Sequence, residues 1–242
     1  LPQLAAVKAA VAKKDQKALE KALGDYLNSK LPPLRVVPTG KPPPNAKLAD
    51  QWLKPTIVLG GKDYPIPGTQ SLDTLPLGDD VDWYFGSETA FVEPAQWGHI
   101  RIVGNAYANS GDPRYAEAMI RYVRSFYRTA ARPPAQRPKT IFGAFGPWRA
   151  PNASGRIMGA YLPATYREIG AAACVTDADR VMFLKMFWEH ADYCYHLLDE
   201  HVAHNFEAHV LVGLLNMPVT FPEFRDSKRW LERVATRFSD NL

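Results

Sequence analysis

The hydrophobic periodicity of the second half of the chain, which is helical almost throughout, constrains the fold most. From about residue 93 to residue 238, apolar side chains recur every three or four positions, with no convincing alternation of apolar and polar residues. The pattern predicts helices at 97–109, 113–131, 152–172, 177–200, 204–217 and 225–238. Joined by loops, these helices form antiparallel pairs and indicate an all-α fold. Periodicity alone does not determine whether the pairs close into a ring.

Local capping signals support several of these boundaries. Asp112-Pro113 places an acceptor side chain before a proline that suits the first helical position. Asp177 can cap a later helix, and either Asp226 or Ser227 can cap the last one. These positions predict where the chain turns between helices.

The first 80 residues fall into two stretches of different composition. Apolar spacing from Leu4 to Leu27 is helical but skips a turn around Lys13-Lys14-Asp15, which predicts a helical hairpin over residues 1–30 with Asp15 as a cap. Residues 31–80 are rich in Pro and Gly, which disrupt helix and sheet alike, so we expect an extended linker that wraps the surface. The helical domain then occupies residues 81–242.

Charge and composition limit the partners and the compartment. A net charge of +4 and a pI near 9.0 favour polyanionic partners. The basic residues are scattered, which disfavours nucleic acid, and no apolar stretch approaches membrane-spanning length. The chain starts at Leu1 without Met, as after removal of a signal peptide or a tag. Cys174 and Cys194 are either one disulfide or two buried thiols, and their spacing does not decide.

A polar cluster is the densest chemical signal of the sequence. It contains five of the six histidines, and its members are His190, His196, His201, His204, Asn205, Glu207 and His209. His201 and His204 lie one helical turn apart and could ligate a metal, but no HExxH motif and no clear third ligand accompanies them. Three interpretations stay open: solvated or buried structural histidines, a metal site, and a catalytic or substrate-binding edge.

An aromatic and basic segment is the second candidate. It is Gly143-Ala144-Phe145-Gly146-Pro147-Trp148-Arg149, followed by Asn152 and Arg156. A Trp face beside a guanidinium suits a sugar acid, because Arg pairs with carboxylate or sulfate through two hydrogen bonds. From this segment alone, a buried Trp with an outward-reaching Arg is the better interpretation, as it is for Trp83-Tyr84 and Trp97-Gly98-His99. Gly-rich phosphate loops, a hydrolase elbow and a close carboxylate pair are not found.

Four stretches resemble the heparinase II/III family, and the heparinase III-type lyases in particular. His204-Asn205-Phe206-Glu207-Ala208-His209, continuing to Phe221-Pro222-Glu223-Phe224 and Ser227-Lys228-Arg229-Trp230, is similar to a family helix that opens on Asn and is followed by a Phe-Pro-Glu-Phe turn. Ser110-Gly111-Asp112 with Tyr115-Ala116, the Trp148-Arg149 segment and the leading hairpin agree as well. The resemblance covers most of the chain and is weakest over residues 31–80.

The resemblance implies an incomplete (α/α) toroid and a polysaccharide lyase. Such lyases remove the C5 proton of a uronic acid and expel the leaving oxygen by β-elimination. Asn205 matches the catalytic Asn that neutralises the substrate carboxylate, and His204, Trp148, Arg149, Tyr84 and His209 are the expected substrate-binding residues. No metal or cofactor is implied. The family's catalytic Tyr and His and its C-terminal β-sandwich would follow residue 242, so the chain alone is expected to be inactive.

The substrate stays open among heparan sulfate, hyaluronan, chondroitin and alginate, with a slight leaning of the basic charge towards sulfated chains. Since these polymers are extracellular, the family implies a periplasmic or secreted protein. Competing hypotheses are a non-catalytic helical carbohydrate-binding module, a metal-dependent enzyme built on the histidine cluster, and a glycoside hydrolase on an α/α toroid.

Overall fold

The structure is a computed structural model that describes residues 2–59, 73–84, 97, 100–130, 132, 146–159, 161–199 and 205–240. This part is mostly helical, which confirms the predicted helical class. Short 3₁₀ turns lie at Pro2–Leu4 and Gly146–Trp148. The helices are α1 (Ala5–Lys13), α2 (Gln16–Lys30), α3 (Ala46–Gln51), α4 (Arg101–Ser110), α5 (Pro113–Thr129), α6 (Ala150–Ile157), α7 (Leu162–Ile169), α8 (Asp177–Leu197), α9 (Asn205–Thr220) and α10 (Ser227–Asp240).

The N-terminal hairpin has the predicted break and the predicted cap. Lys14 ends α1 in the left-handed conformation, with φ of 52°. Asp15 then adopts an extended conformation, and its carboxylate accepts a hydrogen bond from the Ala18 amide at 3.0 Å. The polar turn therefore determines where α1 stops and α2 begins.

Of the N-caps predicted for α5 and α8, the first is confirmed and the second lies one residue earlier than predicted. Asp112 accepts from the Arg114 amide at 3.0 Å, with Pro113 at the start of α5. Asp177 is not a cap but the first residue of α8. Thr176 is the cap, because its hydroxyl and the Asp179 carboxylate bond each other's backbone amides reciprocally.

The single helix predicted over residues 152–172 is wrong. The structure has two helices there: α6 ends at Ile157 and α7 begins at Leu162. Gly159 lies in this break with φ of 77°, a conformation that residues other than glycine rarely adopt. Pro163 near the start of α7 has no amide hydrogen, which suits the first turn of a new helix.

The Pro-rich stretch contains more regular structure than its composition indicates. It includes the short helix α3 and an antiparallel pair of strands, β1 (Thr56–Leu59) and β2 (Asp73–Pro76), with Thr56 opposite Pro76. Trp52 and Leu75 from this stretch are buried in the main core. The division of the chain at residues 30 and 80 stays a prediction, as does the closure of the helices into a toroid.

Helix α8 lies at the centre of the described helices. It packs against α2, α6, α9 and α10, and its core-facing residues are large and apolar. Helix α9 packs closely on α6, since a Cβ at Gly213 would lie 2.8 Å from the backbone oxygen of Ser154. Further along, the Asn216 amide donates to the Ile157 carbonyl at 3.4 Å. The contacts advance in the same direction along both helices, so α6 and α9 run parallel and begin at the same end.

The Phe-Pro-Glu-Phe turn fastens the N-terminal hairpin to the rest of the fold. The Glu223 carboxylate accepts from Lys30 Nζ at 2.6 Å and from Tyr26 Oη at 2.8 Å. Phe221 is fully buried and lies against Phe187 of α8, with ring centroids 5.3 Å apart. The Phe-Pro-Glu-Phe motif therefore has a structural role, which is to connect the N-terminal hairpin to the helical core.

Two smaller findings concern the thiols and the surface. Cys174 and Cys194 are both free thiols, and Cys194 is buried. The two cysteines therefore do not form a disulfide. Within the described ranges, no helix is both long enough and apolar enough to span a bilayer.

Candidate functional site

The backbone of the Gly146–Trp148 turn is held by three side chains. The Gly146 carbonyl accepts from Asn152 Nδ2 at 2.9 Å. The Pro147 carbonyl accepts from the Arg156 guanidinium, and the Trp148 carbonyl accepts from Tyr193 Oη at 2.7 Å. Asn152 and Arg156 lie on α6 and Tyr193 lies on α8, so two helices fix the turn that precedes Arg149.

A buried Arg–His pair lies beneath this turn. Arg156 is 0% exposed and donates from Nε to His190 Nε2 at 2.8 Å, while its charge lies 4.6 Å from the centre of the Phe126 ring. His190 Nδ1 lies 2.6 Å from the Met186 carbonyl, which can only accept. The proton therefore sits on Nδ1, and His190 is the neutral tautomer that accepts from Arg156.

Burial determines the protonation of this pair. Burial, and then the positive charge of Arg156, holds the pKa of His190 well below its usual 6.5. Burial also lowers the pKa of Arg156, to about 9, so the guanidinium is still protonated at neutral pH. Of the histidines in the polar cluster, His190 is thus a structural core residue and not part of an exposed edge.

The neutral His190 predicts acid destabilisation. Below about pH 6.5 the unfolded chain protonates this imidazole whereas the native state does not, so stability falls as pH drops, by up to about 1.4 kcal/mol per pH unit. The free energy of unfolding, measured by urea denaturation between pH 7.5 and pH 5, should show this slope. His190→Gln should lose that component, and a variant with the wild-type slope would contradict the assignment.

Two helix N-termini and a guanidinium meet at one end of the α6–α9 pair. Arg149 directly precedes α6, and its guanidinium carbon lies 5.7 Å from the centre of the Phe206 ring in the first turn of α9. Asn205 opens α9 with an exposed side chain, and exposed His209 follows one turn later on the same face. Since helix N-termini carry partial positive charge, this end is suited to an anion.

Tyr84 lies beside the turn that leads into Arg149. It is 51% exposed, and a Cβ at Gly146 would lie 2.8 Å from its ring, so the ring lies directly on the glycine. Burial raises the pKa of Tyr84, although the Arg156 charge acts in the opposite direction. We call the surface formed by Tyr84, Arg149, Asn205 and His209 the anion edge.

The remaining predicted residues are placed differently. Trp148 is 1% exposed, its Nε1 donates to the Ala130 carbonyl at 2.7 Å, and its ring stacks on His190 with centroids 4.6 Å apart. In this position it supports the turn from beneath and offers no free face to a sugar. His204 and His201 lie outside the described residues. Tyr193 also supports the turn, and the sequence carries no local signal for it because its partner is 45 positions away.

The metal interpretation of the histidine cluster gains no support from the described residues. Among them, no group of three or more His, Cys, Asp or Glu side chains is arranged to hold a metal ion. His196 instead lies near Asp192 and Asp199, at 3.8 and 3.6 Å. Asp192 also pairs with Arg132 and Arg229 at 2.9 Å each, which joins α8 to α10.

Comparison with known proteins finds one matching family and several solved structures of similar fold. The family described as Heparinase II/III N-terminus matches residues 1–242. Heparan sulfate lyase HepC from Pedobacter heparinus matches with a TM-score of 0.69 at 20% identity, over 97% of this chain and 36% of that one. A mutant of HepC matches with a TM-score of 0.74 at 20% identity, over 100% of this chain and 37% of that one. A heparinase III structure matches with a TM-score of 0.71 at 18% identity, over 96% of this chain and 35% of that one. The chain thus spans about a third of the length of these solved proteins. A comparison with curated protein sequences found no match.

Proposed function

The chain belongs to the heparinase II/III family, and from that premise we propose that it is the helical N-terminal part of a polysaccharide lyase. Its substrate would be a polysaccharide that contains uronic acid, cleaved by β-elimination. Because solved relatives of this fold are named heparan sulfate lyases and the chain is basic, we propose a sulfated glycosaminoglycan such as heparan sulfate. Alginate and unsulfated glycosaminoglycans are the alternative substrates.

The observation that carries this proposal is the anion edge. Arg149 lies beside the N-termini of both α6 and α9, and Asn205 lies exposed at the start of α9. A guanidinium with two helix N-termini attracts carboxylate and sulfate groups, whereas a neutral amide can donate without changing its charge. This combination suits a polymer of sugar acids better than a neutral glycan.

The proposed chemistry assigns Asn205 the role of neutralising the uronate. The C5 proton of a uronic acid is very weakly acidic while the adjacent carboxylate is fully charged. An amide that donates to that carboxylate stabilises the charge which builds up as the proton leaves, and the bond to the C4 oxygen then breaks. In the family a Tyr or a His accepts the proton, and a Tyr usually donates to the leaving oxygen. These groups would come from other parts of the protein.

The other predicted site residues take binding roles in this proposal. Arg149 would pair with a sulfate or carboxylate, Tyr84 would contact the sugar ring, and His209 would lie near the substrate one turn beyond Asn205. Trp148 would act from beneath the turn, and His204 stays a prediction. The catalytic Tyr and His and a β-sandwich domain would be supplied by the rest of a longer, periplasmic or secreted protein, so residues 1–242 alone should not cleave.

The proposal is tested by the ultraviolet absorbance of unsaturated uronate. The complete protein and residues 1–242 are incubated with heparan sulfate, hyaluronan, chondroitin sulfate and alginate. We expect absorbance to grow with the complete protein on heparan sulfate and not with residues 1–242. New reducing ends without absorbance would instead indicate a hydrolase, and binding without either product would indicate a carbohydrate-binding module.

A further inference from the structure

We propose that Tyr193 is a positioning residue for Arg149, although it lies on the central helix and contributes nothing to the anion edge itself. This inference rests on the proposed function and adds to it the residue that fixes the substrate-binding guanidinium. Tyr193 is 3% exposed, and its hydroxyl donates to the carbonyl of Trp148. That carbonyl belongs to the peptide group between Trp148 and Arg149, so the hydrogen bond sets the plane from which the Arg149 side chain departs.

The turn has no freedom left at its other carbonyls. Asn152 holds the Gly146 carbonyl, and Arg156 holds the Pro147 carbonyl. The Arg149 amide donates back to Gly146 at 3.1 Å, which closes the 3₁₀ turn. Tyr193 supplies the last of these restraints, and the carbonyl that it binds belongs to Trp148, the residue next to Arg149.

The rigidity of this turn has a functional consequence because Arg has many rotatable bonds. A guanidinium binds an anionic group well only when its two donors are already oriented, and the entropy of ordering it otherwise reduces affinity. A fixed backbone at Arg149, together with the Phe206 ring beside its guanidinium, reduces that cost. Loss of the Tyr193 hydroxyl should therefore weaken substrate binding while leaving the proton-transfer chemistry intact.

The test is a double-mutant cycle in the complete protein with heparan sulfate as the substrate. Tyr193→Phe keeps the ring that packs edge-on to Trp148, at 5.0 Å between centroids, and removes only the hydroxyl. We expect it to raise KM about 3- to 10-fold, the effect of one lost hydrogen bond, with kcat nearly unchanged. In an Arg149→Ala background, the same substitution should have no further effect on KM, because the group that it positions is gone.

Tyr195→Phe is the matched control. Tyr195 lies on the same helix, where its ring packs beneath Arg229 at 4.5 Å, and its substitution should leave KM unchanged. If Tyr193→Phe lowers the melting temperature without changing KM, or if its KM effect persists in the Arg149→Ala background, the positioning role is wrong.

Failure of the proposed function gives a different result. If the wild-type protein forms no unsaturated product, the same cycle is measured as the Kd for heparan sulfate, where the same non-additivity is expected. A wild-type protein that neither cleaves nor binds any of the four polysaccharides would overturn both proposals, whereas additive effects in an active protein would overturn only the role of Tyr193.

Discussion

Asn205→Asp in the complete protein should lower kcat about 10²- to 10³-fold, the usual cost of losing one donor that stabilises developing charge. The substitution keeps the shape of the side chain but replaces the donating amide with a carboxylate, which repels the uronate carboxylate. Asn205 is exposed at the first position of α9, so the fold should not suffer. A negative charge there even favours the helix, by about 0.3–1 kcal/mol. Turnover and thermal stability should therefore change in opposite directions.

The opposite signs make this experiment selective. A residue with a purely structural role would lose stability and activity together. Asn109→Asp introduces the same charge at another exposed asparagine, in the last turn of α4, and should leave kcat unchanged. Rates of unsaturated product formation and melting temperatures are measured for both variants. An Asn205→Asp protein with wild-type turnover would remove Asn205 from the mechanism.

The parts of the fold that could be predicted are those with a local physical cause. The break before Asp15 and the start at Asp112-Pro113 depend on side chains bonding to backbone amides two or three residues away, so the sequence contains the whole interaction. The shift from Asp177 to Thr176 follows from a reciprocal bond to Asp179, which is also a local interaction. The break at Gly159 was missed because the apolar spacing continues across it.

The parts that could not be predicted depend on pairing between distant residues. Leu59 at the end of β1 pairs with Asp73 at the start of β2, which is not its neighbour in sequence, and nothing in either segment specifies its partner. Arg156 and His190 are 34 positions apart, and each, considered alone, is typical of a surface or a site. Both are buried in the folded protein. The Arg156 guanidinium at Nε2 and the Met186 carbonyl at Nδ1 together show that His190 is neutral.

The candidate site shows the same division. The motif that opens α9 predicts Asn205 and His209 as site residues, and both side chains are exposed, which is compatible with that prediction. The segment around Arg149 predicts a substrate-binding role for it, but its position beside Phe206 depends on the parallel packing of α6 and α9. The burial of Trp148 depends on its contacts with the Ala130 carbonyl and with His190, and the sequence of its own segment predicts neither contact.

The second large effect is expected at Trp148, on stability. Trp148→Ala removes a fully buried ring that stacks on His190, contacts Tyr193 edge-on and bonds the Ala130 carbonyl. Replacing such a ring with alanine costs about 3–5 kcal/mol, which is a large fraction of the stability of a typical domain. Trp148→Phe keeps most of the packing and loses the hydrogen bond, so its cost should be smaller, roughly 1–3 kcal/mol. Urea denaturation at pH 7.5 measures both values.

Tyr84→Ala is the contrasting variant for Trp148. Because Tyr84 is half exposed and rests on Gly146, its removal should change the free energy of unfolding by less than about 1 kcal/mol while weakening polysaccharide binding. A Trp148→Ala protein with wild-type stability and reduced polysaccharide affinity would show that Trp148 contacts the sugar directly, and that the turn opens when substrate arrives. The expected result, lost stability at Trp148 and lost affinity at Tyr84, would assign sugar contact to the exposed aromatic side chain and support of the turn to the buried one.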